Sequence, residues 1–191
     1  PGFQPVSRSW VEQGSVLLIG LIGLTDLFAL LPIVVSAGLW LLFALLQLLR
    51  LAGWYEMRVL RMPVLWVLHA GYGWLILGSL LYGLSMLGLF TPSGALHALT
   101  IGVVGVFTLG MMARVSLGHT GRSIDVSMPT ALSFVLMNLG ALVRVFGPAA
   151  FPEKYALWVD IPAGLWVLAF GLFSYGYVPL LLRARADGKP G

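Results

Sequence analysis

The chain has 191 residues, of which 59% are hydrophobic and only 9% are charged. Soluble domains carry about 25% charged residues, so this composition excludes a water-soluble domain and indicates an integral membrane protein with a mean hydropathy of +0.96. The net charge of +4 does not indicate nucleic-acid binding, because the basic residues cluster between apolar runs, and the absence of cysteine excludes disulfides, thiolate ligands and iron–sulfur clusters.

Apolar runs that can cross a bilayer, which takes about 20 residues per helix, occur six times along the chain. They lie near residues 10–30, 32–50, 62–88, 93–118, 127–147 and 154–182. The first two runs are nearly continuous, and only Asp26 and Pro32 mark a break between them. Pro63, Pro92 and Pro129 fall at helix starts, where a missing N–H costs little. The sequence therefore predicts an all-α fold, a single membrane bundle of six transmembrane helices.

The basic residues are distributed unequally between the two ends of these spans. An even number of spans places both termini on one side, where nine of the eleven basic residues fall: Arg8, Arg50, Arg58, Arg61, Arg114, Arg122, Arg183, Arg185 and Lys189. The other side holds only Arg144 and Lys154. Cytoplasmic loops carry an excess of lysine and arginine. We therefore expect both termini in the cytoplasm and a fourth span that runs from outside to inside.

The three histidines are the candidate metal ligands. His97, near the outer end of the fourth span, either donates to a neighbouring carbonyl or is an axial ligand, because neutral imidazole binds iron, copper and zinc. His119 lies 22 residues later, about 33 Å away along a helix. His69 in the third span is expected roughly 20 Å from His97 along the membrane normal. The spacing predicts at most one imidazole per site, so a second must come from another chain or from a missing half.

Two of these histidines also have structural interpretations. His69 can pair with Tyr72, one helical turn later, as a satisfied core histidine. His119 stands with Arg114 and Arg122 where glycines are typical of a helix C-terminal cap. Those three residues either favour the negative helix end and anionic lipid headgroups or form part of a binding site.

Arg144 is one of the two basic residues at the outer side of the membrane. It can pair with Asp160 or Glu153, or bind an anion such as a haem propionate. Met111, Met112 and Met128 are the soft ligands that copper(I) prefers, although methionine in apolar spans is usually filler.

Small residues recur along the fourth span, and they either allow close helix packing or leave room for a flat cofactor: Ala98, Gly102, Gly105, Gly110 and Ala113. No phosphate-binding loop, nucleophile elbow or close carboxylate pair appears. The sequence leaves open whether the chain is an enzyme.

Two short motifs lie in the fourth span and its exit loop, H-A-L-T-x-G at residues 97–102 and M-x-R-x-x-x-G-H-T-G-R at residues 112–122. Together with residues 63–78 they resemble the NnrS family of bacterial membrane proteins. The resemblance implies a multi-pass protein of the bacterial inner membrane associated with haem, taken as haem b, and with copper. It also implies a role in nitric oxide handling during denitrification and nitrosative stress.

The resemblance carries expectations about partners as well. Family members are about twice this length, with about twelve spans, and this chain looks like the carboxyl-terminal half. The expected partners are membrane lipid, a missing amino-terminal half or further copies of the chain, and nitric oxide as a small ligand.

The preferred hypothesis is a haem-associated protein of nitric oxide metabolism. His97 would coordinate iron, Thr100 or a backbone carbonyl would accept the N–H of its second ring nitrogen, and Arg144 would neutralise a propionate. Arg114, His119 and Arg122 would form a second polar cluster. The alternative is a membrane subunit or half-transporter that binds no metal.

Overall fold

Helices make up all the regular structure of the part of the chain that the computed structural model describes, residues 6–54 and 56–188. The α-helices are α1 (Ser9–Leu27), α2 (Ile33–Ala52), α3 (Pro63–Met86), α4 (Pro92–His97), α5 (Val106–His119), α6 (Met128–Ala150) and α7 (Leu157–Leu181). Residues Ala98–Gly105 form a π-helix that joins α4 to α5. Of the basic residues counted above, Lys189 lies outside the described residues, and so does the side chain of Arg58.

Six helical segments are long and apolar enough to cross a membrane, so the predicted all-α bundle of six spans is confirmed. The segments are Ser9–Leu27, Ile33–Ala52, Pro63–Met86, Pro92–His119, Met128–Ala150 and Leu157–Leu181. Most ends agree closely with the prediction. The fifth span is helix α6. The sequence predicts its end at residue 147, but the helix continues through Pro148 to Ala150.

Short connections join consecutive helices, and the bundle has two distinct ends. We call the end where α2, α5 and α7 finish the basic end, and the opposite one the His97 end. An ion pair between Glu12 at the start of α1 and Arg50 at the end of α2 shows that these two helices are antiparallel. A contact between Gly176 and the Thr130 hydroxyl shows the same for α6 and α7.

Glycine ends the third and the fourth span in the same way. Gly88 and Gly121 have φ values of +74° and +67°, in the left-handed region that favours glycine. After Gly121, the Arg122 N–H donates to the Leu117 carbonyl at 3.0 Å, and the Gly121 N–H donates to Gly118 at 3.2 Å. These paired bonds satisfy carbonyls at the helix end, which confirms the predicted cap in the G-H-T-G-R segment.

The buried side chains form two separate cores. The larger core joins α3, the fourth span, α6 and α7, and includes Val67, Leu109, Phe134, Met137 and Phe173. The smaller core joins α1 to α2 through Leu18, Ile22 and Phe43, with Leu75 of α3 packed against it. The segments that carry the two sequence motifs belong to the larger core.

Candidate functional site

The imidazole of His97 is held by the helix on which it lies. Pro92 begins α4, and the Thr91 hydroxyl caps it by accepting the Gly94 N–H at 3.2 Å. One turn later, His97 Nδ1 lies 2.7 Å from the Ser93 carbonyl oxygen. Because a carbonyl only accepts, Nδ1 carries a proton, and in the neutral ring Nε2 is the nitrogen that presents a lone pair. That is the form in which imidazole binds a metal.

Thr100 is not the acceptor for His97. Its hydroxyl donates instead to the Leu96 carbonyl at 3.0 Å. Of the two acceptors proposed from the sequence, Thr100 is wrong and the backbone carbonyl is confirmed. A backbone acceptor lies on the same helix as the ring, so its position does not depend on any other helix.

His97 lies at the edge of a face that points away from the bundle. The side chain is half-buried, and Leu96 and Thr100 beside it are exposed. The outward face continues along the π-helix to Val104, which is 60% exposed. Either lipid or another protein chain must cover this face in a membrane.

The fourth span is not a continuous α-helix, because the π-helix begins directly after His97. The Trp74 ring packs on the backbone of Gly102, and a Cβ there would lie 2.5 Å from that ring. The indole N–H of Trp74 donates to Asn138 at 3.0 Å, which fixes the ring. π-Helices are rare and frequently occur at functional sites.

The small residues of the fourth span are used for helix packing. Gly102 faces Trp74, and a Cβ at Gly110 would lie 2.8 Å from Val67. Ala98 and Ala113 are fully buried in the larger core. These positions therefore contact neighbouring helices.

Arg144 on α6 faces the start of α7 at the His97 end. Its guanidinium donates to the Trp158 carbonyl at 3.1 Å and to the Tyr155 hydroxyl at 3.3 Å. The predicted pairing with Asp160 or Glu153 is wrong, since neither carboxylate reaches Arg144. Within residues 6–54 and 56–188, this guanidinium has no carboxylate partner.

A cavity of about 210 Å³ connects Arg144 to the π-helix. Its walls are formed by Ile101, Met137, Gly140, Val159, Pro162, Ala163 and Trp166. Pockets for small-molecule ligands are usually about 300–1,000 Å³, so this cavity is too small to enclose a haem macrocycle. The donor atoms of His97 and Arg144 suit haem, but a haem on His97 would lie against the outward face, which lipid or another chain covers.

The polar cluster predicted at the basic end is divided by the structure. Arg114 and His119 are exposed on α5, whereas Arg122, beyond the helix cap, is half-buried. Arg122 lines a cavity of about 450 Å³ between the ends of α5 and α7 and the start of α6. Only Arg122 of the three is thus placed at a cavity wall.

His69 is bonded differently from the sequence prediction. Its Nδ1 lies 2.9 Å from the Leu65 carbonyl. Tyr72, its predicted partner, donates to Gln47 instead. His69 Nε2 is buried without a hydrogen-bond partner in the described part of the chain, beside a cavity of about 110 Å³ that is also lined by Trp54 and others. The interpretation as a fully satisfied core histidine is therefore wrong.

A polar network between α1, α2 and α3 was not anticipated from the sequence. Gln47, only 2% exposed, accepts from Tyr72. Arg50 binds Glu12 and lies over the Trp54 ring, 4.8 Å from its centroid. The sequence did contain a signal for this network, because a glutamine and an arginine within an apolar run need polar partners in a membrane.

No group of three or more histidine, aspartate or glutamate side chains converges within the described residues in a way that could hold a metal ion. His69 lies in the second turn of α3, which begins at the basic end. His97 lies at the opposite end. A metal ion bound at His69 or at His97 would need further ligands that these histidine, aspartate and glutamate side chains do not supply.

A comparison with protein-family models matches residues 2–185 to the family described as NnrS protein. Comparisons with curated proteins and with solved structures find no match. The family match spans the whole bundle, including the fourth span and its exit loop.

Proposed function

This chain belongs to the NnrS family, and from that premise we propose that it is a haem-associated protein of bacterial nitric oxide metabolism. The chain is a multi-pass membrane protein with six apolar helices. The proposal places it in the bacterial inner membrane with both termini in the cytoplasm, as the excess of basic residues at one end favours.

The observation that carries the proposal is the state of His97. Its Nδ1 is committed to the Ser93 carbonyl at 2.7 Å, which leaves Nε2 as the free ring nitrogen. The ring lies next to a π-helix and at the same end as Arg144, whose positive charge has no carboxylate partner among the described residues. A histidine ligand and an arginine without a carboxylate partner at the same end of the bundle suit an iron porphyrin with acidic substituents.

We further propose that the second axial ligand comes from another chain. His97 borders an outward face, and no other histidine lies at its end of the bundle in the described residues. Either a second copy of this chain or an amino-terminal half would then cover the haem. Haem iron, when bound, would supply the nitric oxide and electron-transfer chemistry, and His97 and Arg144 would hold and orient it. Copper is a weaker proposal, since the described histidine, aspartate and glutamate side chains form no group of three that could hold a metal ion.

The test is an absorption spectrum and iron analysis of the chain purified in detergent, separated by size. We expect a Soret band that elutes with oligomeric protein and not with monomer. His97→Ala should abolish the band. His119→Ala, at the opposite end of the same span, should retain it and serves as the matched control.

Two results would overturn the haem proposal. One is a Soret band of unchanged intensity in His97→Ala protein that is still folded. The other is a chain that stays colourless after haem is added, both as an oligomer and together with an amino-terminal half, which would favour the metal-free membrane subunit.

A further inference from the structure

A polar cavity lies at the basic end, at the opposite end of the bundle from His97. Its volume of about 450 Å³ falls within the range usual for small-molecule sites, about 300–1,000 Å³. Three helix ends meet there, namely the last turns of α5 and α7 and the first turn of α6. Its walls include the exit loop of the G-H-T-G-R motif, which the haem proposal does not use.

A buried hydroxyl group without a partner lines this cavity. Tyr177 of α7 is only 3% exposed. Its hydroxyl forms no hydrogen bond within the described part of the chain. Buried hydroxyl groups are nearly always hydrogen-bonded, so this one indicates a partner that the described residues do not supply.

An unpaired cation and an unpaired anion line the same cavity. The side chain of Arg122 makes a single hydrogen bond among the described residues, a long one of 3.4 Å to the Thr120 carbonyl. Asp125 also lines the wall. The two do not form an ion pair with each other or with any other described residue. Two opposite charges that face one cavity without pairing are complementary to a ligand that carries both charges.

The start of α6 adds a second attraction for the negative part of such a ligand. Ser127 occupies the N-cap position, but its side chain does not cap the helix. Its hydroxyl instead lies 3.1 Å from that of Thr130, and both residues line the cavity. The unsatisfied N–H groups of a helix N-terminus favour an anion.

From these observations we propose that this cavity binds a dipolar group with an oxyanion at one end and a primary ammonium at the other. Arg122 and the N-terminus of α6 bind the oxyanion, Asp125 binds the ammonium, and the Tyr177 hydroxyl completes the hydrogen bonds. Phosphoethanolamine has this chemistry, either as a free molecule or as the headgroup of a phospholipid. The proposal does not depend on haem at His97.

The first experiment measures binding of free phosphoethanolamine to the detergent-purified chain by calorimetry. Phosphocholine, whose ammonium cannot donate, and inorganic phosphate, which has none, should bind about tenfold more weakly or worse. Arg122→Gln and Asp125→Asn should each weaken phosphoethanolamine binding by about tenfold or more. Arg61→Gln, an exposed arginine at the same end, is the matched control and should change nothing.

The second experiment distinguishes the two sources of the group. The chain is placed in nanodiscs of phosphatidylethanolamine, phosphatidylglycerol or phosphatidylcholine, and the lipids that remain bound are counted by native mass spectrometry. A retained phosphatidylethanolamine that Arg122→Gln and Asp125→Asn both release assigns the cavity to the lipid headgroup. Binding of free phosphoethanolamine without such a lipid assigns it to a soluble molecule.

Tyr177→Phe keeps the test decisive if the charge variants unfold. Removal of a buried, unpaired hydroxyl should raise the melting temperature of the ligand-free chain while it weakens phosphoethanolamine binding. Tyr175→Phe is the control, because Tyr175 is 75% exposed on the same helix. If no probe binds, or if Tyr177→Phe leaves the affinity unchanged, the proposal is wrong.

Discussion

The two parts of the bundle are held together by different means. The α1–α2 pair has a small apolar core and is joined by polar contacts, including Glu12 to Arg50 and Trp40 to Asp26. The α3–α7 part is joined by close packing of small and large residues around a much larger core. Inside lipid, hydrophobic burial does not drive helices together, so close packing and polar bonds are the two available means.

This difference indicates where stability and function lie. The candidate site residues His97, Arg144, Arg122 and Tyr177 all belong to the tightly packed part. The α1 helix packs mainly on α2 and exposes large apolar side chains along much of its length. We expect substitutions in the packed part to lower the free energy of unfolding by more than the loss of single polar bonds at α1 and α2 does.

The largest effect is expected where Gly102 meets Trp74. Gly102→Ala would place a Cβ 2.5 Å from the indole ring, which is 5% exposed and bonded to Asn138. We expect a loss of about 1–3 kcal/mol from the free energy of unfolding, measured by denaturant titration in detergent. Gly73→Ala is the matched control, since nothing lies within 4 Å of its added Cβ. Equal losses of unfolding free energy for Gly102→Ala and Gly73→Ala would contradict the proposed difference in packing between the two parts of the bundle.

A smaller effect is expected at the junction between the two parts. Tyr72→Phe removes the donor to Gln47, which is almost fully buried. Polar bonds between membrane helices average about 0.6 kcal/mol and reach about 1.7 kcal/mol, so we expect a loss of about 1 kcal/mol. The double variant Gln47→Leu/Tyr72→Phe should recover much of it, because no unpaired amide oxygen remains. Tyr82→Phe, on the same helix, is the control.

The smallest effect is expected within the α1–α2 pair. Trp40→Phe removes the 2.8 Å hydrogen bond to Asp26. Because Asp26 is only partly buried, water replaces the lost donor, and we expect a loss of about 0.5 kcal/mol in thermal unfolding. Trp166→Phe in α7, where the side chain is 48% exposed, is the control for the loss of an indole ring. A loss larger than that of Gly102→Ala would reverse the proposed order.

Much of the fold could be predicted because it depends on local patterns in the sequence. Apolar runs separated by proline and glycine gave the six spans, and Gly121 gave the helix cap. The sequence also predicted His97 at the opposite end of the bundle from His69 and His119, because helix direction follows from span order. These features depend on neighbours in the chain.

The bonding of individual polar side chains could not be predicted in the same way. Asp160 and Glu153 were two of the partners considered for Arg144, but the start of α7 places a carbonyl and a tyrosine hydroxyl in its reach instead. His69 was expected to bind Tyr72, but α2 supplies Gln47 to that hydroxyl. Each outcome depends on a partner from another helix, which sequence spacing does not locate.

The sequence by itself determined that this protein lies in a membrane, how many helices cross it, and which residues hold its scarce polar chemistry. Only the tertiary structure decided that His97 borders an outward face while Arg122 turns to a cavity with Asp125 and Tyr177. The physical reason is that a span is set by its own backbone bonds and the bilayer thickness. The surroundings of a side chain are set instead by helices distant in sequence, and here by a π-helix that interrupts the regular turn of the fourth span.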